Sequence, residues 1–328
     1  MVPFLSGSRL YPVLGSQPPG VSLKMTPVSY THILALHEEG KGGYRIAATL
    51  EQVMEAVRKV QFVDAEAIAQ RFVTARLDAV ALPEFPGELP PDLASAYAVQ
   101  DCAIDMWPDQ VAGWKVGKIP PDHEVKLGAK SLAGPIFKKD VQISAPGSLV
   151  EFGMFVGGFS AVEAEFVFEI GQDAPVGKTS WTTTDAVAIV KRMLVGVETA
   201  GSPLKTINII GPKAVVSDFG NNAGMILGPE VSNWVERSPA DLVSETFIYG
   251  KSVGRGSAAN IVGGPLEALR FLAELCGKRR HPLKAGMLVS TGATTGIHEI
   301  SPGEIARVEF KGIGAIQCAA RKRMPIPH

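Results

Sequence analysis

Ala161-Val-Glu-Ala-Glu-Phe-Val-Phe-Glu-Ile170 alternates residue by residue, with Val162, Ala164, Phe166 and Phe168 on one face and Glu163 and Glu165 on the other. A period of two is the pattern of a β-strand, and it spaces the two acids by roughly 6.6–7 Å along the backbone. Neighbouring carboxylates in an apolar stretch repel each other and resist desolvation. They are tolerated where they face water, share a proton or hold a cation. A third acid, Glu198, ends the short apolar run Val195-Gly-Val-Glu198 and points towards a hard divalent ion such as Mg²⁺ or Mn²⁺. The alternative is a solvated strand face, which Glu169 would continue.

Working outward from this strand, the chain after Trp107-Pro108 is a series of short apolar runs broken by glycine. Strands are expected over 111–116, 150–159, 162–170, 194–198, 223–227, 242–249, 287–291, 306–310 and 315–318. Helices are expected over 184–193, capped by Thr184, and over 265–275, with Pro265 in its first turn and Gly277 past its end. Before Trp107 the texture is helical, with apolar positions at helical spacing over 65–77 and 93–106 and a proline-rich link between them. The fold class that follows is α+β: a β-rich, mixed-sheet roll over 111–328 behind a small helical region at 49–110. Residues 1–48 lack a sustained period and read as a disordered or non-native extension, with Met25 and Met54 as later starts.

The 328 residues carry a formal net charge of −1, which offers no basic stripe for nucleic acid and no polybasic patch for a membrane. No run is apolar and long enough to cross a bilayer, and the N-terminus does not read as a signal peptide. Cys102, Cys276 and Cys318 are scattered and fit reduced thiols in a cytoplasmic protein. Gly250-Lys-Ser252 and Gly177-Lys-Thr179 mimic the end of a phosphate loop. The glycine required upstream is Glu245 in one and Gln172 in the other, so nucleotide binding is not expected. The glycines of 250–256 read instead as a turn.

Three further segments carry polar chemistry. Lys115, in Gly113-Trp-Lys-Val-Gly117, has glycines that leave space around its ammonium. A solvated surface lysine is the ordinary alternative, but near carboxylates and a metal it would suit an anionic substrate and proton transfer. Asp218-Phe-Gly-Asn-Asn222 is a polar turn before an apolar run, explicable by turn chemistry alone. Ser290-Thr-Gly-Ala-Thr-Thr-Gly296 follows another strand, and its backbone N–H groups could cup a carboxylate with help from Thr291.

Taken in order, these segments resemble the hydratase/decarboxylase branch of the fumarylacetoacetate hydrolase superfamily, typified by 2-keto-4-pentenoate hydratase. The run is Ala96-Tyr-Ala-Val-Gln100, Gly113-Trp-Lys-Val-Gly117, Gly134-Pro-Ile-Phe137, Glu163-Ala-Glu165, Glu198 and Ser217-Asp-Phe-Gly-Asn-Asn-Ala-Gly224. It continues with Gly264-Pro-Leu266, Leu283-Lys-Ala-Gly286, Ser290–Gly296 and Pro302-Gly303. The resemblance implies a β-rich roll, Mg²⁺ or Mn²⁺ held by Glu163, Glu165 and Glu198, and Lys115 as the active-site lysine. It places Ser202, Asp218, Asn222, Thr291 and Gly292 near the substrate. It also implies a homo-oligomeric lyase of aromatic catabolism, hydrating a 2-hydroxy-2,4-dienoate to a 4-hydroxy-2-oxo acid.

The chain departs from the family after the third acid, where Ser202-Pro203 keeps the serine of an Asp-Ser-Arg sequence and lacks the arginine. A 2-oxo-enedioate decarboxylase, an acylpyruvate C–C hydrolase and a metal-binding structural protein are the alternatives. The stretch 118–133 is expected to be a loop acting as a lid over the site.

Overall fold

The computed structural model describes residues 65–326, together with three short strands nearer the N-terminus. The chain divides into two compact units, Met1–Val63 and Asp64–His328. In the first, β1 (Val21–Lys24), β2 (Ile33–Glu38) and β3 (Arg45–Thr49) form an antiparallel sheet in the order β1-β2-β3. The expectation of a disordered extension over 1–48 otherwise lies outside the described residues.

The second unit opens with two helices, α1 (residues 65–77) and α2 (Leu93–Met106). Asp92 caps α2 by accepting a hydrogen bond from the Ser95 N–H at 2.8 Å. Then come β4 (Val111–Lys118), α3 (Pro121–Leu127), β5 (Ser131–Phe137), β6 (Val141–Ile143), β7 (Leu149–Met154) and β8 (Phe159–Ile170). They are followed by α4 (Thr183–Ala188), β9 (Val190–Ser202), α5 (Ile207–Ile210), α6 (Pro212–Ser217), β10 (Asn222–Glu230), β11 (Val243–Ile248) and β12 (Lys251–Ser257). The chain closes with α7 (Pro265–Lys278), β13 (Leu288–Ser290), β14 (His298–Glu299), β15 (Ile305–Phe310) and β16 (Gly314–Lys322).

Seven strands of the larger sheet run in the order β5-β4-β13-β8-β9-β10-β6, with β14 pairing β8 beside this path. The second sheet runs β12-β11-β15-β16-β7. Both are mixed: β13 is parallel to β4 and antiparallel to β8, and β16 is parallel to β7. Side chains of Val162, Ala164, Phe166 and Phe168 join those of Phe310, Ile316 and Phe152 in one large core, where Phe166 and Phe310 meet edge to face at 5.6 Å. This is the β-rich mixed-sheet roll expected from the strand pattern. The helical region closes the opposite face, where Ile68, Phe72 and Val99 pack with Ala161, Ala200 and Phe219.

Three local expectations are corrected. The helix expected over 184–193 stops at Ala188, and its cap is Thr182, paired with Asp185 in a reciprocal capping box. From Val190 the chain is strand, because it completes the ladder with β8 through Ile170. The glycine-rich stretch expected to be a turn at 250–256 is mostly β12, paired antiparallel to β11. The expected 118–133 loop holds α3, capped at its C-terminus by Gly128 in a left-handed conformation, and the start of β5.

Candidate metal centre

Strands β8 and β9 pair so that Glu163 stands directly opposite Glu198 and Glu165 opposite Gly196. Three carboxylates thereby share one face of the sheet, with ligand oxygens that all lie within 4.8 Å of one another. That face is not solvated. Ala161 and Ala200 belong to the apolar cluster under the helices, and Val167, Leu194 and Met225 form another on the far side of the acids. Glu165 and Glu198 have no exposed surface, and Glu163 is 5% exposed. Glu169, further along the strand, is bound to Lys191 and Arg192.

The electrostatics follow from this burial. Desolvation and the Glu198 charge push the Glu163 carboxyl up to about 8, against the pull of Lys115. Glu165 is raised for the same reasons, with Glu163 adding to the repulsion and a bond from Ser290 opposing it. Lys115 comes from β4, two strands away across β13, and its Nζ lies 3.4 Å from Glu198 Oε2. Burial alone would lower its pKa, but Glu198, Glu163 and Glu165 outweigh that and raise it, so the ammonium stays charged. A Cβ at Gly117 would stand 3.3 Å from Lys115 Nζ, so the glycine leaves the ammonium room.

Glu165 Oε1 is buried without a hydrogen-bond partner, and Glu198 Oε2 meets only the Lys115 ammonium. A buried carboxylate oxygen left unpartnered is costly, and a hard cation satisfies it. The remaining oxygens are oriented by the protein: Ser290 Oγ and the Gly292 N–H donate to Glu165 Oε2, and Asn222 Nδ2 donates to Glu198 Oε1 at 2.9 Å. The donor set fits a magnesium- or manganese-type ion. Glu163 and Lys115 open on a cavity of about 440 Å³, also lined by Leu132, Asn221, Thr291 and Gly292.

The turn that carries the asparagines is unusual. Phe219, Gly220 and Asn221 all have positive φ, at 53°, 65° and 63°. A phenylalanine in that region is rare and needs surrounding structure to hold it. Gly134 supplies part of that hold: a Cβ there would stand 2.1 Å from the Phe219 carbonyl oxygen, so only glycine lets β5 and the turn touch. Trp107 and Phe137 pack edge-on and tilted around Phe219.

The expected substrate residues therefore separate. Thr291 and Gly292 line the cavity, but their N–H groups are taken by Phe166 O and Glu165 Oε2, at 3.1 and 2.9 Å. The turn that was expected to cup a substrate carboxylate cups Glu165 instead. Asn222 orients Glu198. Ser202 and Asp218, expected beside the substrate, do not line the cavity. They bond each other, and Asp218 also binds Arg76, whose guanidinium donates to the Asn222 and Gly201 carbonyls at 2.9 Å. Ser290, Arg76 and Asn221 were not among the expected site residues. Asn221 lies one position from the chosen Asn222, and its Oδ1 is buried, unpartnered and on a cavity-lining residue.

The chain is 24% identical over 254 residues to a 4-oxalocrotonate decarboxylase of Pseudomonas sp, covering 76% of this chain and 95% of that protein. It is 26% identical over 230 residues to 2-keto-4-pentenoate hydratase 2 of Dechloromonas aromatica, covering 69% and 85%. Among solved structures, the 4-oxalocrotonate decarboxylase of Pseudomonas putida G7 has the same fold, with a TM-score of 0.63 at 20% identity over 79% of this chain and 97% of that one. The chain is thus similar in sequence to enzymes of the hydratase/decarboxylase branch of the fumarylacetoacetate hydrolase superfamily and shares their fold. No family model matches it. The Pseudomonas putida structures hold calcium and acetate in one case and magnesium and adipate in the other. Among the described residues, no helix is long and apolar enough to cross a membrane.

Proposed function

We propose that the protein is a metal-dependent hydratase that adds water to a 2-hydroxy-2,4-dienoate of the 2-oxopent-4-enoate type, giving a 4-hydroxy-2-oxo acid. The observation that carries this reading is the buried trio Glu163, Glu165 and Glu198, with Glu165 Oε1 unpartnered, beside a charged lysine on a cavity wall. These acids are the proposed ligands of Mg²⁺ or Mn²⁺. A divalent ion held by these carboxylates would supply Lewis-acid stabilisation of negative charge on the 2-oxo acid.

The chain's own residues do the rest. Lys115, held charged by its carboxylate neighbours, balances the negative charge that develops at the C2 oxygen as the dienol loses its hydroxyl proton. A proton added at C5 gives the 2-oxo-3-enoate. Water then adds its oxygen to C4 and a proton to C3, which balances the overall addition of one water. Asn221 Oδ1, a buried acceptor without a partner, suits a role in orienting that water. Ser290, Gly292 and Asn222 hold the ligand carboxylates, and the Arg76–Asp218–Ser202 network holds the asparagine turn. A cytoplasmic homo-oligomer in aromatic catabolism is the setting this reading expects.

Decarboxylation of a 2-oxo-enedioate is the second reading, because a 4-oxalocrotonate decarboxylase aligns over 95% of its length. The test is the ultraviolet absorbance of freshly generated 2-hydroxypenta-2,4-dienoate with and without Mg²⁺ or Mn²⁺. Metal-dependent loss of the dienol band, with 4-hydroxy-2-oxopentanoate identified by mass, is the expected result. Inertness towards this acid, with metal-dependent CO₂ release from a 2-oxo-enedioate, would transfer the function to the second reading.

A further inference from the structure

The cavity beside the carboxylates is larger than a five-carbon acid needs. It encloses about 440 Å³. Even at the generous allowance of about 30 Å³ per non-hydrogen atom, a water's share of the liquid, the eight atoms of 2-hydroxypenta-2,4-dienoate fill little more than half of it. Most of the remaining wall is apolar, with Leu132, Pro212, Val215, Ile261, Val262 and Ile297 on it beside the neutral polar Ser131, Asn208 and Asn260. Ile297, which lines the cavity, is 52% exposed and continues this aliphatic wall to solvent.

Charge on the wall is sparse. Lys115 and Glu163 belong to the metal centre, and among the described residues Lys118 is the one other charged side chain on the cavity wall. Lys118 is exposed at the end of β4. A solvated lysine adds little to an ion pair, and desolvating a second carboxylate among aliphatic side chains demands a buried, paired cation. Away from the metal centre the wall is mostly aliphatic and holds no buried cation.

We propose that the acid taken at this site carries an uncharged hydrocarbon tail, longer than a five-carbon skeleton provides, seated on Leu132, Val215, Ile261 and Ile297. This rests on the reading above, in which a 2-oxo acid is held at its carboxylate end by the metal centre. It selects, within the hydratase/decarboxylase branch, a monocarboxylate over a dicarboxylate.

The test is calorimetric titration of the Mg²⁺-loaded protein with stable saturated acids: 2-oxopentanoate, 2-oxohexanoate, 2-oxoheptanoate, 2-oxooctanoate and 2-oxoadipate. Affinity should rise about threefold to fourfold for each methylene buried, and 2-oxoadipate should bind no better than 2-oxohexanoate, which has the same carbon count. In Ile297→Ser, with folding checked by its melting temperature, the gain per methylene should shrink. Tighter binding of 2-oxoadipate, or a series flat in chain length, overturns the tail while metal-dependent binding of the head group still stands. Absence of metal-dependent binding throughout the series overturns both the tail and the reading beneath it.

Discussion

Glu163 and Glu198 face one another across the antiparallel pair β8–β9, both buried, and among the described residues only Lys115 forms an ion pair there, with Glu198. Such a pair stays close either by binding a proton or by holding a cation. Because burial and Glu198 push the Glu163 carboxyl up to about 8, the metal-free site already keeps a proton near neutral pH. Glu163→Gln should therefore melt at or above the metal-free wild type. Mg²⁺ at one hundred times its dissociation constant should stabilise the wild type by about 2.7 kcal/mol, or roughly 5–10 °C, and leave the variant almost unmoved. Melting curves with and without Mg²⁺ check this; an equal shift in both would remove Glu163 from the ligand set.

Lys115 places a positive charge beside the carboxylate trio, 3.4 Å from Glu198. That charge opposes a divalent ion and favours an anionic substrate. Lys115→Met should bind Mg²⁺ at least as tightly as the wild type while losing about 10²-fold or more in turnover, the range expected for a positioned proton-transfer or charge-stabilising group. Metal titration and steady-state rates on one preparation separate the two effects. Weaker metal binding with proportionate loss of rate would make the lysine a structural prop.

The strand and its acids were legible because a period of two is written locally in 161–170. The second apolar layer was not, because Leu194, Met225 and Leu288 reach it from three other strands. A face read from one strand alone could equally have been wet. Arg76 was invisible for a similar reason: an arginine on a helix looks solvated, and its partner Asp218 lies 142 residues away. The asparagine turn was singled out for its polarity, yet the sequence could not say which asparagine met the cavity. Three consecutive positive φ values, made possible by contact with Gly134, decide that. The overlong expected helix shows the usual ambiguity of a short apolar run, resolved in favour of strand by the pairing of Val190 with Ile170.

Arg76 and Asp218 form a buried ion pair, and the same guanidinium packs over Phe219 at 5.0 Å and Phe155 at 5.5 Å. Removing one partner leaves a charge without compensation in the interior. Arg76→Met should destabilise by about 3–5 kcal/mol, and Asp218→Asn added to it should restore part of the loss. Urea unfolding of the single and double variants measures both. Because Arg76 also holds the Asn222 carbonyl, and Asn222 orients Glu198, Mg²⁺ affinity should fall in the single variant as well.

His298 offers a second pH dependence. It pairs with Val162 across β14–β8, sits against Gly254 where a Cβ would stand 2.5 Å from its Cε1, and lies 3.2 Å from Thr295 Oγ1. Burial lowers its pKa below the ordinary 6.5, against a hydrogen bond at Thr295 that raises it. The folded protein thus prefers the neutral ring, while the unfolded chain takes up a proton near 6.5. The contribution to stability is complete above pH 6.5 and is lost as pH falls below it towards the folded value. His298→Gln lacks that loss, so the wild type should lose melting temperature relative to the variant between pH 6.5 and 5. Thermal melts across that range check the sign; a wild type that gained on the variant on acidification would mean that the fold prefers the charged ring.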